Sequence, residues 1–460
     1  MNEEIRQKII DDGLRPLRQG MGWKGIVWVL FLLAIMAVAA FAYGQQVRQG
    51  LVVTGMNDIY SWGIYIALFV FLVAVSLVGA IFSSILKLTN FEFRRPLTRI
   101  AELIAVGAIL FAAVAIIADM GRPERLWQVF ASGRLQSPII WDVLVVNTYL
   151  VIGLLLLYVP MIPDLAYCRD QLQDIPKWKK KLYRVLALNW QDTPRQKALL
   201  HRAEKFLIIL VIPVAVAIHT VTSWLFAVTH RPGWDSTAFG AYFVSGAFVA
   251  GVACVIVAMF VLRKAYGYHR YLTDKHFDYS GKLLVLLSLV YLYFNISEFL
   301  VPAYKMSEKK GALLEMLFIG EYSLVFWGAI VVGIILPALV PIFKKGRTPG
   351  VLTVLAVAVV IAHWAKRFAV VMPPMGNTLS PVQIVPSDWH VYNPTWEEIA
   401  VTAGIMAGAL LAITVMARIF PVLPIRDISQ GRFEETDEKD EQGRQAFELM
   451  VEQHGRQDHE

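Results

Sequence analysis

The chain has 460 residues, of which 57% are hydrophobic and 17% charged, with a formal charge of +7. This balance excludes a soluble globular domain, and the excess of basic residues implies membrane topology rather than a nucleic-acid partner. Only two cysteines occur, Cys168 and Cys254, with no CxxC or CxxCH pattern. The chain therefore cannot hold its own four-thiolate iron–sulfur cluster, zinc ribbon or c-type haem.

Residues 1–23 carry Ile5, Ile9, Ile10, Leu14 and Leu17 at helical spacing, an amphipathic segment suited to the inner membrane surface or a partner. Ten apolar runs follow, at approximately 24–43, 60–86, 100–118, 139–160, 204–228, 238–263, 282–303, 321–343, 349–372 and 398–420. About 20 apolar residues suffice for a span, so the expected fold is an all-α polytopic membrane protein with ten transmembrane helices. The first run ends AVAAFA, but it exceeds the length of a signal-peptide core and reads as an uncleaved helix. With the N-terminus inside, roughly three-quarters of the Lys and Arg residues face inward, which makes both termini cytoplasmic. Loop 161–203, with WKKKLYR, reads as a solvated topology determinant in contact with anionic lipid, and 424–460 as a loosely ordered cytoplasmic tail.

A repeat organises the runs. Asp58–Ile66 reads DIYSWGIYI and Asp235–Phe243 reads DSTAFGAYF, each opening a helix from the outer side. His219 and His363 are each followed five residues later by an aromatic, Trp224 or Phe368. An even number of helices separates the copies, so the repeat is parallel: helices 2–5 and 6–9 form two four-helix bundles, flanked by helices 1 and 10. The boundaries are then a cytoplasmic segment 1–23, the first helix 24–43, the first bundle 44–237, the second bundle 238–372, an outer loop with the tenth helix 373–423, and the tail 424–460.

Ionisable groups inside a membrane are costly and mark candidate sites. Asp58, Glu298, Glu321 and Glu102 fall near helix ends, where a headgroup-level position suffices. Asp119 opens DMGRPERLW, with Arg122 in the turn, and Asp142 lies in SPIIWDVLVVNTYL beside Trp141. The loop between helices 3 and 4 is expected to bring these acids together, either as a structural Asp–Arg pair or as proton acceptors. His219 lies six residues after Pro213, which can open a cavity. It could bond a ligand oxygen and titrate near neutral pH, or pack in the core. His219 and His363 could also be axial ligands of a b-type haem. No P-loop, HExxH or dinucleotide fingerprint is present. Polar groups at the outer side among many aromatics suit an amphiphilic carrier of electrons and protons, a quinone.

GMNDIYSWGIYIALF, DMGRPERLW, SPIIWDVLVVNTYL, HTVTSWLFA, PGWDSTAFGAYFVSGAF and WAKRFAVVMPP…DWHVYNPTWEE together resemble the NrfD/polysulfide-reductase membrane-subunit family, in its long ten-helix branch. That branch includes the quinol-oxidising membrane subunit of alternative complex III and the DsrP and hydrogenase-2 anchors. The resemblance implies a menaquinone site near the outer face, with no haem or metal in this subunit. It also implies a bacterial inner-membrane location and a periplasmic ferredoxin-like iron–sulfur partner, with molybdopterin or multihaem cytochrome subunits and other membrane subunits beyond it. It places Asp119, Asp142 and His219 as catalytic candidates, with Arg122, Trp141, His219, Trp224 and Asp235 lining the quinone pocket. Alternative complex III relatives have His where this chain has Asp119 and Asp235, and an acid where Leu225 stands. Electron flow in either direction fits, as do a structural or proton-conducting anchor, a haem b cytochrome and a secondary transporter.

Overall fold

A computed structural model describes residues 3–88, 95–229, 231–377, 389 and 391–429; Asp388 and His390 of the last motif and residues 430–460 of the tail lie outside them. The described residues are helical and contain no strand. Ten helices are long and apolar enough to cross a membrane, so the chain is a multi-pass membrane protein. They are α1 (Trp23–Gln49), α2 (Ile64–Leu88), α3 (Arg95–Asp119), α4 (Pro138–Tyr158), α5 (Pro194–Ala227), α6 (Phe239–Tyr266), α7 (Asp274–Lys305), α8 (Ser323–Ile342), α9 (Pro349–Gly376) and α10 (Trp396–Ile419).

Helices α2 and α6, which follow the two echoed entrance stretches, pack on each other, and each also touches α5 and α9. Apolar all round, α2 is buried from Ile64 to Ile81, as such a helix must be when protein rather than lipid surrounds it. By contrast α1 buries only Leu32, Ala39, Ala42 and Gln46, packing on α10, which in turn packs on α3. Its contact with α10 is close because Gly404 has no side chain; a Cβ there would lie 2.1 Å from that of Ala39.

The two entrances meet at the end of the molecule where α2 and α6 begin. Trp62 stacks on Trp234 with ring centroids 5.8 Å apart, and Phe226 at the end of α5 presents its edge to both rings. The Trp234 indole N–H donates to the Val370 carbonyl on α9 at 2.8 Å. Asp58 itself is exposed. The echoed aromatics after the histidines diverge: Phe368 packs on Tyr322, Tyr392 and Trp364, whereas Trp224 is 49% exposed.

The opposite end is tied by buried charge. Arg99 pairs with Asp164 at 3.0 Å with both side chains essentially inaccessible, and the Arg426 backbone N–H donates to the same carboxylate at 2.9 Å. Glu102 takes Lys87 and the Ser83 hydroxyl, each at 2.6 Å, so it is a buried partner rather than a headgroup-level acid. The amphipathic N-terminal helix Glu3–Arg18 buries Ile9, Ile10, Leu14 and Leu17 against its own chain near Leu423 and Ile425. The WKKKLYR stretch forms helix Lys177–Leu186, whose buried Tyr183 donates to the Ile419 carbonyl at the C-terminal end of α10. That segment is docked on one face, not wholly solvated.

Candidate functional site

The candidate residues separate into three groups. The first lies between α4 and α5. Asp142 is buried, and the Thr222 hydroxyl donates to its Oδ1 at 2.6 Å. One turn before Thr222, the buried His219 places Nδ1 3.3 Å from the Ala215 carbonyl. That contact requires the proton on Nδ1 and leaves Nε2 as a bare acceptor. Among the described residues Nε2 makes no hydrogen bond of ordinary distance and angle, although the Val73 backbone on α2 lies close enough to act on the ring as a hydrogen-bond partner. A carboxylate held by a hydroxyl and an imidazole one turn away are suited to receive protons from a hydroxylated ligand. Helix α5 runs unbroken through Pro213. Trp141, whose N–H donates to the Leu135 carbonyl, stands beside Asp142 in the chain, and Trp224 lies toward the exposed side of α5.

The second group gathers around the start of α10. Glu398 is fully buried; Oε2 accepts from Gly55 N at 2.8 Å and Thr395 N at 3.0 Å, and Oε1 accepts from the Tyr392 hydroxyl. Tyr392 accepts in turn from Ile64 N at 2.9 Å, and the Tyr322 hydroxyl accepts from Tyr392 N at 3.1 Å. Burial, reinforced by the Glu398 carboxylate, pushes the Tyr392 phenol far above its ordinary range, so it stays a donor. Gly63 allows this convergence, since a Cβ there would come within 2.9 Å of both Glu398 Oε1 and the Tyr392 hydroxyl. Asp119 belongs here: its Oδ1 accepts from Gly63 N at 3.5 Å. No hydrogen bond or ion pair joins it to Asp142 or Arg122 among the described residues, and Arg122 is exposed. The expected pairing across the α3–α4 loop is not formed, because Asp119 turns toward the entrance of α2 and Asp142 toward α5.

The third group lies among α6, α7 and α9. Asp235 pairs with Lys310 at 2.8 Å at the rim of a cavity of about 480 Å³ bounded by these helices and the short helix Glu308–Phe318. Asp235, expected at the mouth of the quinone pocket, has its carboxylate at the opening of the cavity among α6, α7 and α9. Partial burial raises its pKa, but the Lys310 hydrogen bond and charge lower it more, leaving it below the ordinary carboxylate range. Deeper in, Lys366 is buried with no hydrogen-bond acceptor among the described residues, its Nζ 4.4 Å from the centre of the Phe326 ring. His363 is held on one nitrogen by the Gly333 carbonyl at 3.1 Å and lies against the Tyr291 ring, at 5.4 Å between centroids. Gly333 lies in a π-helical turn, Val331–Ile335, a distortion of the hydrogen-bond ladder that often marks functional positions. Thr222 and Lys310 join these groups without any signal in the sequence; a hydroxyl one turn after a histidine and a lysine in the first turn of a short helix have no distinctive pattern.

Comparison with known proteins gives a consistent result. The sequence profile of the family described as "Polysulphide reductase, NrfD" matches residues 52–376. The chain is 28% identical over 422 residues to a dimethyl sulfoxide reductase membrane subunit of Halobacterium salinarum, covering 88% of this chain and 92% of that one. It is 23% identical over 406 residues to a selenate reductase subunit of Mesobacillus selenatarsenatis, covering 86% and 93%. It is also 22% identical over 424 residues to the menaquinone reductase integral membrane subunit of Nitratidesulfovibrio vulgaris, covering 87% and 92%.

Proposed function

This chain belongs to the NrfD polysulphide reductase family, and on that basis we propose that it is the quinone-reactive membrane subunit of a multisubunit oxidoreductase of the bacterial inner membrane. One relative is named for menaquinone and the others for dimethyl sulfoxide reductase and selenate reductase, which supports menaquinone as the carrier and a reductase as the assembly. The observation that carries the reading is the buried Asp142–Thr222 hydrogen bond one turn from the buried His219, whose Nδ1 is held by the Ala215 carbonyl.

Quinol oxidation yields two electrons and two protons. His219 Nε2 accepts the proton of one quinol hydroxyl, while the Asp142 carboxylate, oriented by Thr222, accepts the other. Both protons then leave toward the outer side, with Asp119 nearer that face. Electrons pass to a periplasmic iron–sulfur subunit seated on the outer loops. The loop between α3 and α4 suits such a partner: it forms a short helix, Leu126–Ala131, and exposes Trp127, Phe130 and Leu135. Both chain termini then lie on the cytoplasmic side, and reversing the electron flow uses the same groups in the opposite order.

The test is quinol oxidation by the assembled complex carrying Asp142→Asn or His219→Ala. Loss of a positioned proton acceptor is expected to lower turnover by about 10²–10⁴-fold. Wild-type turnover in both variants would overturn the site.

A further inference from the structure

We infer that the cavity among α6, α7 and α9 is a second binding site for the head group of a quinone, distinct from the Asp142–His219 site; this rests on the reading of the chain as quinone-reactive. Two buried side chains on this cavity, Lys366 and Glu298, carry polar atoms without a hydrogen-bond partner among the described residues, Nζ and Oε2, and the Tyr242 hydroxyl stands beside them next to Tyr291. An amine without an acceptor, buried among the Phe326 and Phe299 rings, is costly unless something supplies an oxygen. Glu298 acts on Lys366 electrostatically, yet the two make no ion pair, and both line the cavity. Pro302 lies four residues after Glu298 in α7, so the Glu298 backbone carbonyl loses its helical donor at the same place.

The walls decide what kind of molecule fits. Leu313, Leu314, Leu317, Val370 and Pro374 make them apolar, and the volume of about 480 Å³ falls in the range of small-molecule sites. A planar ring with carbonyl or hydroxyl oxygens satisfies Lys366 on one oxygen and Glu298 or Tyr242 on another. Glu298 and Asp235 line the cavity beside Lys305, Lys310 and Lys366, so its charge is mixed, which suits a neutral polar ring with both donor and acceptor partners. Exposed Leu300 and Val301 lie on α7 beside the opening, so an isoprenoid tail has apolar surface to follow into the lipid.

The experiment is a titration of the assembled complex in lipid nanodiscs with a quinol-analogue inhibitor of the hydroxyquinoline N-oxide type, read by fluorescence quenching. Wild type is expected to bind two equivalents per chain. Lys366→Met and the space-filling Leu317→Trp are each expected to weaken one equivalent by about tenfold or more, the loss anticipated for a hydrogen bond from a charged donor. Asp142→Asn should weaken only the other. Leu317→Trp leaves every polar group in place, so its effect does not depend on the fold tolerating loss of Lys366. If both cavity variants bind as wild type does, or if only phosphatidylglycerol competes for the cavity equivalent, the second site is overturned while the first stands. If only Asp142→Asn leaves binding unchanged, the first site fails and the second stands.

Discussion

Trp62 and Trp234 stack at 5.8 Å, one from the stretch that leads into α2 and the other from the stretch that leads into α6. The two echoed entrances are thus held against each other. Trp234 is almost wholly buried and also bonds α9 through its indole N–H.

Trp234→Ala is expected to destabilise the protein by about 3–5 kcal/mol, the range for deleting a large buried aromatic. Trp234→Phe should cost less, losing mainly the hydrogen bond to Val370. Thermal unfolding of the purified protein checks both, and an unchanged midpoint for the alanine variant would show that the entrances are not held by this stack.

Thr222→Val removes the donor to Asp142 and preserves side-chain volume. Leaving a buried carboxylate without its partner costs about 1–3 kcal/mol, or roughly five- to a hundredfold in turnover if the carboxylate works in that geometry. Quinol oxidation by the variant at matched expression measures this, and Thr222→Ser should restore most of the rate.

Breaking the buried Arg99–Asp164 pair is expected to be severe. Asp164→Asn or Arg99→Met alone leaves a charge without its counterion, at a cost of about 3–5 kcal/mol. The double variant Arg99→Met, Asp164→Leu should recover part of that loss, although the Arg426 N–H also loses its acceptor. Thermal midpoints of the three proteins separate charge pairing from packing.

Asp235 has a pKa below the ordinary carboxylate range because the Lys310 ion pair outweighs the effect of partial burial. A depressed folded-state pKa stabilises above the unfolded value, and the stabilisation is lost as pH falls through the folded one. Lys310→Met should therefore lower the thermal midpoint slightly at neutral pH and make no difference once the medium is acidic enough to protonate the wild-type carboxyl. The effect is small, since Asp235 is 54% exposed and its ion pair is screened. A difference that persists at low pH would assign it to packing instead.

The ten spans were legible in the sequence because burial of apolar surface leaves a linear trace, and so was the unusual company of Asp142 and His219 inside apolar runs. Side-chain direction was not. The α3–α4 loop made Asp119 and Asp142 look like neighbours, yet one turns toward Gly63 and the other toward Thr222. Asp235 follows α5 closely in sequence, but its carboxylate is claimed by Lys310, 75 residues further on. The π-helical turn in α8 leaves no mark in an apolar run, because any aliphatic sequence can host the extra residue.

The helix Glu3–Arg18 is synthesised well before the surfaces it needs, around Leu423 and Ile425. The same delay separates α1 from α10. During synthesis α1 must therefore sit in lipid with its small-residue face, Ala39 and its neighbours, uncovered until Gly404 arrives. Both contacts close late, and truncating α10 would strand α1 and the Glu3–Arg18 helix at once.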